Sequence, residues 1–235
     1  MADTPDPRPT ARSRARERTM RRIIALGNAQ LAEHGPEQLS VREIARGLGM
    51  VSSAVYRYVV NRDELLTLLL VDAFDDLADA VEAAIAEVSA ADPAERFTRL
   101  AHAVRSWAIV NPARWALLYG TPVRGYAAPA EMTTGPGTRV LTRLLEVVAE
   151  VDGAPAGPEL GATLAAALER GAHELGTEVS AWTALRATAL WSGLVGVVNG
   201  ELTEQYGAQF APVAEELFAA QVEVLRGVLG PERGC

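Results

Sequence analysis

The stretch "LSVREIARGLGMVSSAVYRYVVNRDELL" (39–66) holds two short apolar-periodic runs that meet at Leu48-Gly49 and then feed a third, much longer run. Ser40 is placed to cap a helix over Val41 to Leu48, with Glu43 at the third position as a capping box and Gly49 as the left-handed stop. Ser52 starts a second short helix ending near Tyr58, and Asn61 caps the next, with Asp63 and Glu64 in its first turn. Leu66, Leu70, Phe74, Leu77, Val81, Ala84 and Val88 continue the three-four rhythm. About 27 residues of helix reach roughly 40 Å. Two short helices joined by a glycine turn, followed by a rod, predict a helix-turn-helix whose second helix can enter a DNA major groove.

The same spacing of three and four dominates the remainder, and runs alternating with period two are scarce, so the chain is expected to be all-α. Residues 1–16, rich in Pro and Arg, read as a flexible arm. A helix follows from Glu17 to His34, stopped by Gly35-Pro36. Residues 17–65 then form the helix-turn-helix domain and residues 66–235 a helical body. Helices in the body are expected near 94–110, 112–119, 137–151, 158–174, 180–203 and 209–229, with a Gly-, Pro- and Thr-rich loop over 119–137.

Charge separates the two parts. Residues 1–65 carry eleven Arg against eight Asp and Glu, whereas residues 66–235 carry eleven Arg against twenty-two. A basic head on an acidic body assigns any polyanion to the head alone. Every basic residue is Arg. With no Lys, Schiff-base chemistry is excluded, and no H-E-x-x-H, G-x-S-x-G or phosphate-cradling loop is present. The histidines His34, His102 and His173 lie far apart. Glu169 and His173 share a helix face, but with no further ligand nearby they read as an ion pair rather than a metal site. No catalyst, metal or cofactor is expected. The single cysteine, Cys235, excludes an internal disulfide. Residues 1–22 lack the apolar segment of a signal peptide, and the apolar run 187–200 is too short to span a bilayer. A cytoplasmic, membrane-free protein is expected.

On the second helix, Ser52, Ser53, Tyr56 and Arg57 can line one exposed face, with Val55 as the inward anchor. Arg57 can reach guanine O6 and N7 in bidentate fashion, and the serines can bond either base type. Tyr56, Tyr58 and Arg62 offer donors suited to phosphate oxygens. The arginines of the first 22 residues can add salt-dependent affinity along the backbone or in a minor groove.

These residues carry a resemblance. Residues 20–70 look like the DNA-binding domain of the tetracycline-repressor (TetR) family of bacterial regulators, through His34-Gly35, "LSVREIARGLGM" and "YRYVVNRDELL". In that family a Tyr, one residue, a Tyr or His, then Phe or Val precede a Lys or Arg opening the fourth helix. Tyr56, Tyr58, Val59 and Arg62 fill those positions. The resemblance implies that Tyr56, Tyr58 and Arg62 bind phosphate while Arg42, Ser52, Ser53 and Arg57 face bases. The stretch 105–129 also resembles the C-terminal domain of a subgroup named for Trp-His-Gly. Trp191 is followed here by Val195-Gly196, so the His is replaced.

The resemblance further implies a homodimer through the last two long helices. Ala189, Gly193 and Gly196 on 180–203 permit close approach, and Val213, Leu217, Ala220, Val224 and Val228 make an apolar stripe on 209–229. A pocket for an unknown small-molecule effector is expected from the aromatics Trp107, Trp115, Tyr119, Tyr126 and Trp191, with His102, Arg105 and Arg124 as candidate polar anchors. The function expected is a repressor released from a pseudo-palindromic, double-stranded operator by that effector. The rival reading is a small-molecule binding protein with a degenerate DNA-binding head.

Overall fold

The computed structural model describes residues 10–151 and 157–230. Among them there is no strand, and ten helices make two packed groups. The head contains α1 (Ala11–His34), α2 (Val41–Leu48) and α3 (Ser52–Val55). The shared rod is α4 (Arg62–Ala86). The body adds α5 (Pro93–Val110), α6 (Pro112–Tyr119), α7 (Ala130–Ala149), α8 (Ala162–Glu174), α9 (Ala181–Leu202) and α10 (Ala214–Leu229).

α8 and α10 start four and five residues later than expected, at Ala162 and Ala214, and two other helix starts differ further. α1 begins at Ala11, because Thr10 Oγ1 accepts the amide of Ser13 at 3.1 Å and so caps the helix. Residues 11–16, expected in a flexible arm, are therefore its first turns, and residues 1–9 lie outside the described residues. α7 begins at Ala130, so the expected loop keeps only its first half. Gly135-Pro136-Gly137 runs inside this helix. Pro136 removes one amide donor, while the Thr133 and Thr138 hydroxyls donate back to the carbonyls of Pro129 and Thr134 at 2.9 and 2.8 Å.

Capping also redistributes. Ser40 Oγ accepts from the amide of Glu43 at 3.3 Å, but the Ser40 amide donates to Gln30 Oε1 of α1 at 2.9 Å. The expected box is thus completed from a neighbouring helix. At α4 a shifted version of the box forms: Asn61 Oδ1 accepts from the Glu64 amide, and the Glu64 carboxylate accepts from the amide of Val60, one residue before the cap.

The head core gathers Ile23, Leu31, Ile44, Ala45, Val55 and Val59 around Leu65, Leu66 and Leu69 of α4. Leu117 of α6 and Val123 and Tyr126 beyond it pack on the same cluster. A boundary at residue 65 therefore cuts through α4, whose next turn is still head core. The body core surrounds Leu77, Val81, Phe97, Leu100, Trp115, Leu144, Leu190 and Phe218. α9 packs against α7, α8 and α10. α9 is long and apolar enough to cross a membrane by length and composition. Within it, however, buried Arg186 donates to the Leu229 carbonyl at 2.6 Å, and Glu201 forms a two-pronged pair with Arg105 at 2.7 Å. The guanidinium of Arg186 lies at the C-terminal end of α10, where the helix dipole favours a cation.

Candidate nucleic-acid interface and effector cavity

α3 is a single helical turn, extended by hydrogen bonds from the Tyr56 amide to the Ser52 carbonyl and from the Val59 amide to the Val55 carbonyl at 3.0 and 3.1 Å. Val55 and Val59 are fully buried. They pin the segment from below, so that Ser52, Ser53 and Arg57 are exposed and Tyr56 is 39% exposed. Arg42, second residue of α2, is exposed as well. Among the described residues no side chain bonds Arg42, Ser52, Ser53, Tyr56 or Arg57, which leaves their donors turned to solvent.

Two of the expected phosphate contacts are engaged with protein. Arg62 donates Nη2 to the Pro36 carbonyl at 2.8 Å and lies 3.5 Å from Asp63, its side chain 31% exposed. It ties the turn before α2 to the start of α4. Tyr58 is half-buried, and the Arg16 guanidinium sits 5.1 Å from the centre of its ring. That contact brings α1 beside the recognition turn. Arg12, Arg14, Arg16, Arg18, Arg21 and Arg22 are all exposed on α1. Arg12 lies one turn from Arg16, on the same face. Reading residues 11–16 as an arm hid this helical presentation; the Thr10 cap was the signal that could have revealed it.

In the body, α7, α8 and α9 line an open cavity of about 500 Å³. Leu141 and Leu145 of α7, Leu164 and Leu168 of α8, and Ala184 and Ala187 of α9 form its walls. Thr134, Thr138 and Thr188 add hydroxyls, and Glu174 adds a carboxylate. This volume lies within the range of small-molecule sites.

None of the eight sequence-predicted ligand residues lines that cavity. Trp115, Tyr119 and Trp191 do come together, with ring centres 4.6 and 5.5 Å apart. Phe74 of α4 meets Tyr119 edge-on at 6.3 Å. This cluster belongs to the core: Trp115 is buried and donates Nε1 to Asn199 at 2.8 Å. Burial pushes the Tyr119 hydroxyl well above the usual phenol range. Trp107 donates to Asp76 at 3.0 Å beneath the Arg114 guanidinium. His102 stacks edge-on against Phe218, and the Tyr126 hydroxyl lies 2.9 Å from Thr67 Oγ1 in the head core. Aromatic rings at helical spacing fill gaps between helices, and their polar tips find partners there.

α7 has a second face. Arg139 pairs with Asp75, Asp79 and Glu82 of α4 at 3.0, 2.7 and 2.9 Å, and Arg143 reaches Glu82 at 3.2 Å. Arg114 of α6 holds Asp72 and Asp76 at 2.8 and 2.6 Å, and Asn28 of α1 donates to the same Asp72 at 3.1 Å. One helix thus forms a cavity wall and grips the rod that enters the head.

Val213, just before α10, and Val224 and Val228 on it are exposed, Val224 at 76%, with Ala220 exposed and Leu217 half-buried between them. Ala189 and Gly196 of α9 are exposed too, but Gly193 faces Leu225 of its own chain. His173 lies 2.5 Å from Glu178 rather than beside Glu169. Among the described residues no group of three or more His, Cys, Asp or Glu is placed to hold a metal.

Comparison with known proteins adds a name to this geometry. Residues 23–69 match the family described as bacterial regulatory proteins, tetR family, and residues 97–225 match the tetracyclin repressor-like C-terminal domain. HTH-type transcriptional regulators of Mycobacterium tuberculosis and Mycobacterium bovis are 44% identical over 225 residues, covering 92% of this chain and 94% of theirs. The crystal structure of SCO4313 superposes with a TM-score of 0.74 at 32% identity, covering 93% of this chain and 100% of that one. FadR of Bacillus halodurans, at 18% identity over 91% of this chain and 99% of its own, shares the fold with a TM-score of 0.59.

Proposed function

The chain belongs to the TetR family of DNA-binding transcriptional regulators, and from that premise we propose a homodimeric repressor released from a pseudo-palindromic operator by a small molecule. The observation that carries this reading is α7, which lines the cavity with Thr134, Thr138, Leu141 and Leu145 and grips α4 with Arg139 and Arg143. Filling the cavity moves α7; α7 moves the acidic side of α4; α4 carries Leu65, Leu66 and Leu69 of the head core with it. A coupling of about 1–3 kcal/mol weakens operator affinity roughly 5- to 150-fold.

Arg42, Ser52, Ser53 and Arg57 face bases in this reading, and Tyr56 faces phosphate together with the exposed arginines of α1. Tyr58 and Arg62 keep a phosphate role only through the donors that their intramolecular contacts leave over. The uncovered valine stripe of α10, beside Ala189 and Gly196 of α9, supports a four-helix dimer contact in the cytoplasm. Two heads then meet half-sites about 34–36 Å apart.

Selection of genomic fragments by the purified protein, followed by salt titration, tests the reading. An enriched inverted repeat bound with a steep salt slope is expected. No enrichment above non-specific binding would favour a degenerate head and sink the repressor.

A further inference from the structure

The chemistry of the cavity between α7, α8 and α9 limits what it can hold, on the reading that this is the effector site. Its walls are leucine and alanine, and among the described residues neither Arg nor His lines it. Its hydroxyls are partly committed. Thr138 donates its proton to the Thr134 carbonyl at 2.8 Å, and Thr188 donates to the Leu185 carbonyl at 2.8 Å. Both oxygens are left as acceptors. Among the described residues Glu174 is the one acidic or basic side chain in the lining, a carboxylate at the end of α8, and it forms no ion pair with them. Arg170 and His173, its neighbours on α8, are exposed and do not line the cavity.

An anionic ligand therefore meets apolar surface, lone pairs and a like charge. It would lose its hydration and gain no donors except the Thr134 hydroxyl. A ligand that donates hydrogen bonds, and above all one that also carries positive charge, matches every polar group present. We propose that the effector is a lipophilic amine, its alkyl or aryl body against Leu141, Leu145, Leu164 and Leu168 and its ammonium toward Glu174 and the threonine oxygens. The site rejects fatty carboxylates and acyl phosphates of the same length.

Calorimetry on the full-length protein with dodecylamine, dodecanol and dodecanoate, each below its micellar concentration, decides the matter. The amine binds most tightly, the alcohol next, and the carboxylate about 10- to 100-fold more weakly than the amine, the cost of an unmatched polar group. Because Glu174 is exposed, Glu174→Gln weakens the amine only about three- to fivefold and leaves dodecanol unchanged. Leu168→Trp fills the cavity and removes all binding; Ala167→Phe serves should that variant fail to fold. Dodecanoate binding as tightly as the amine overturns the proposal, as does amine binding that survives the filling variants. Operator affinity is measured in the same samples. Release by dodecanoate overturns the ligand class and keeps the switch. Absence of any operator binding removes the repressor reading, while the calorimetric order still tests the cavity.

Discussion

α3, the proposed reading element, and α8, the outer wall of the proposed effector cavity, are held in opposite ways. α3 has four residues, yet Val55 within it and Val59 just beyond are completely buried. α8 has thirteen residues and buries only Ala172. The short helix is fixed by what lies beneath it; the long one stands as an outer wall with little to hold it. A reading element needs fixed geometry, because a base contact tolerates little displacement. A wall that admits a molecule needs a low cost of rearrangement, and few buried contacts provide it.

The largest test of this contrast is a pair of truncations followed by urea unfolding. Ile44→Ala, in the head core, is expected to cost about 2–5 kcal/mol. Leu168→Ala, on the half-exposed wall, is expected to cost less than half as much, and equal losses would break the comparison. Next in size, Arg57→Ala should weaken operator binding by about 1–3 kcal/mol and relax preference at one base position without shifting the unfolding midpoint. A uniform loss across all sequences would make Arg57 a phosphate contact instead. Arg139→Ala should leave operator affinity near its starting value while cutting the ligand-induced loss by about 0.5–2 kcal/mol. Unchanged release would move the coupling to another helix.

Two glycines give the finest resolution. Gly49 has φ +66° and ends α2, so Gly49→Ala is strained and should destabilise by about 1 kcal/mol. Gly171 lies within α8 with nothing within 4 Å of the site of an added Cβ. Gly171→Ala should therefore stabilise by about 0.5–1 kcal/mol, measured as a raised thermal midpoint. The wall carries a residue that weakens it, whereas the head carries one it requires.

Legibility followed the same division. Ser40, Gly49 and Asn61 have local jobs that their neighbours in sequence reveal, so α2 and the start of α4 were readable to the residue. Gly135-Pro136-Gly137 suggests a loop by every local rule, and only threonine hydroxyls bonding back to carbonyls show how a helix continues through it. That misplaced start put Thr134 in a loop and so concealed one wall of the cavity. Trp107 and Trp115 were conspicuous for their size, but the partners that make them core, Asp76 and Asn199, are distant in sequence. Arg62 carried the right charge for phosphate, and its engagement with Pro36 depends on how α1 returns to α4.

The seat of Tyr126 bears on how this architecture can be recombined. Thr67 and Tyr126 meet inside the head core, beside Leu117 and Val123. A chimera grafting residues 10–70 onto a foreign body would leave that seat empty and expose leucines of α4. The transplantable unit is discontinuous: the reading head together with residues 112–126, so specificity moves between regulators of this build only when both pieces travel.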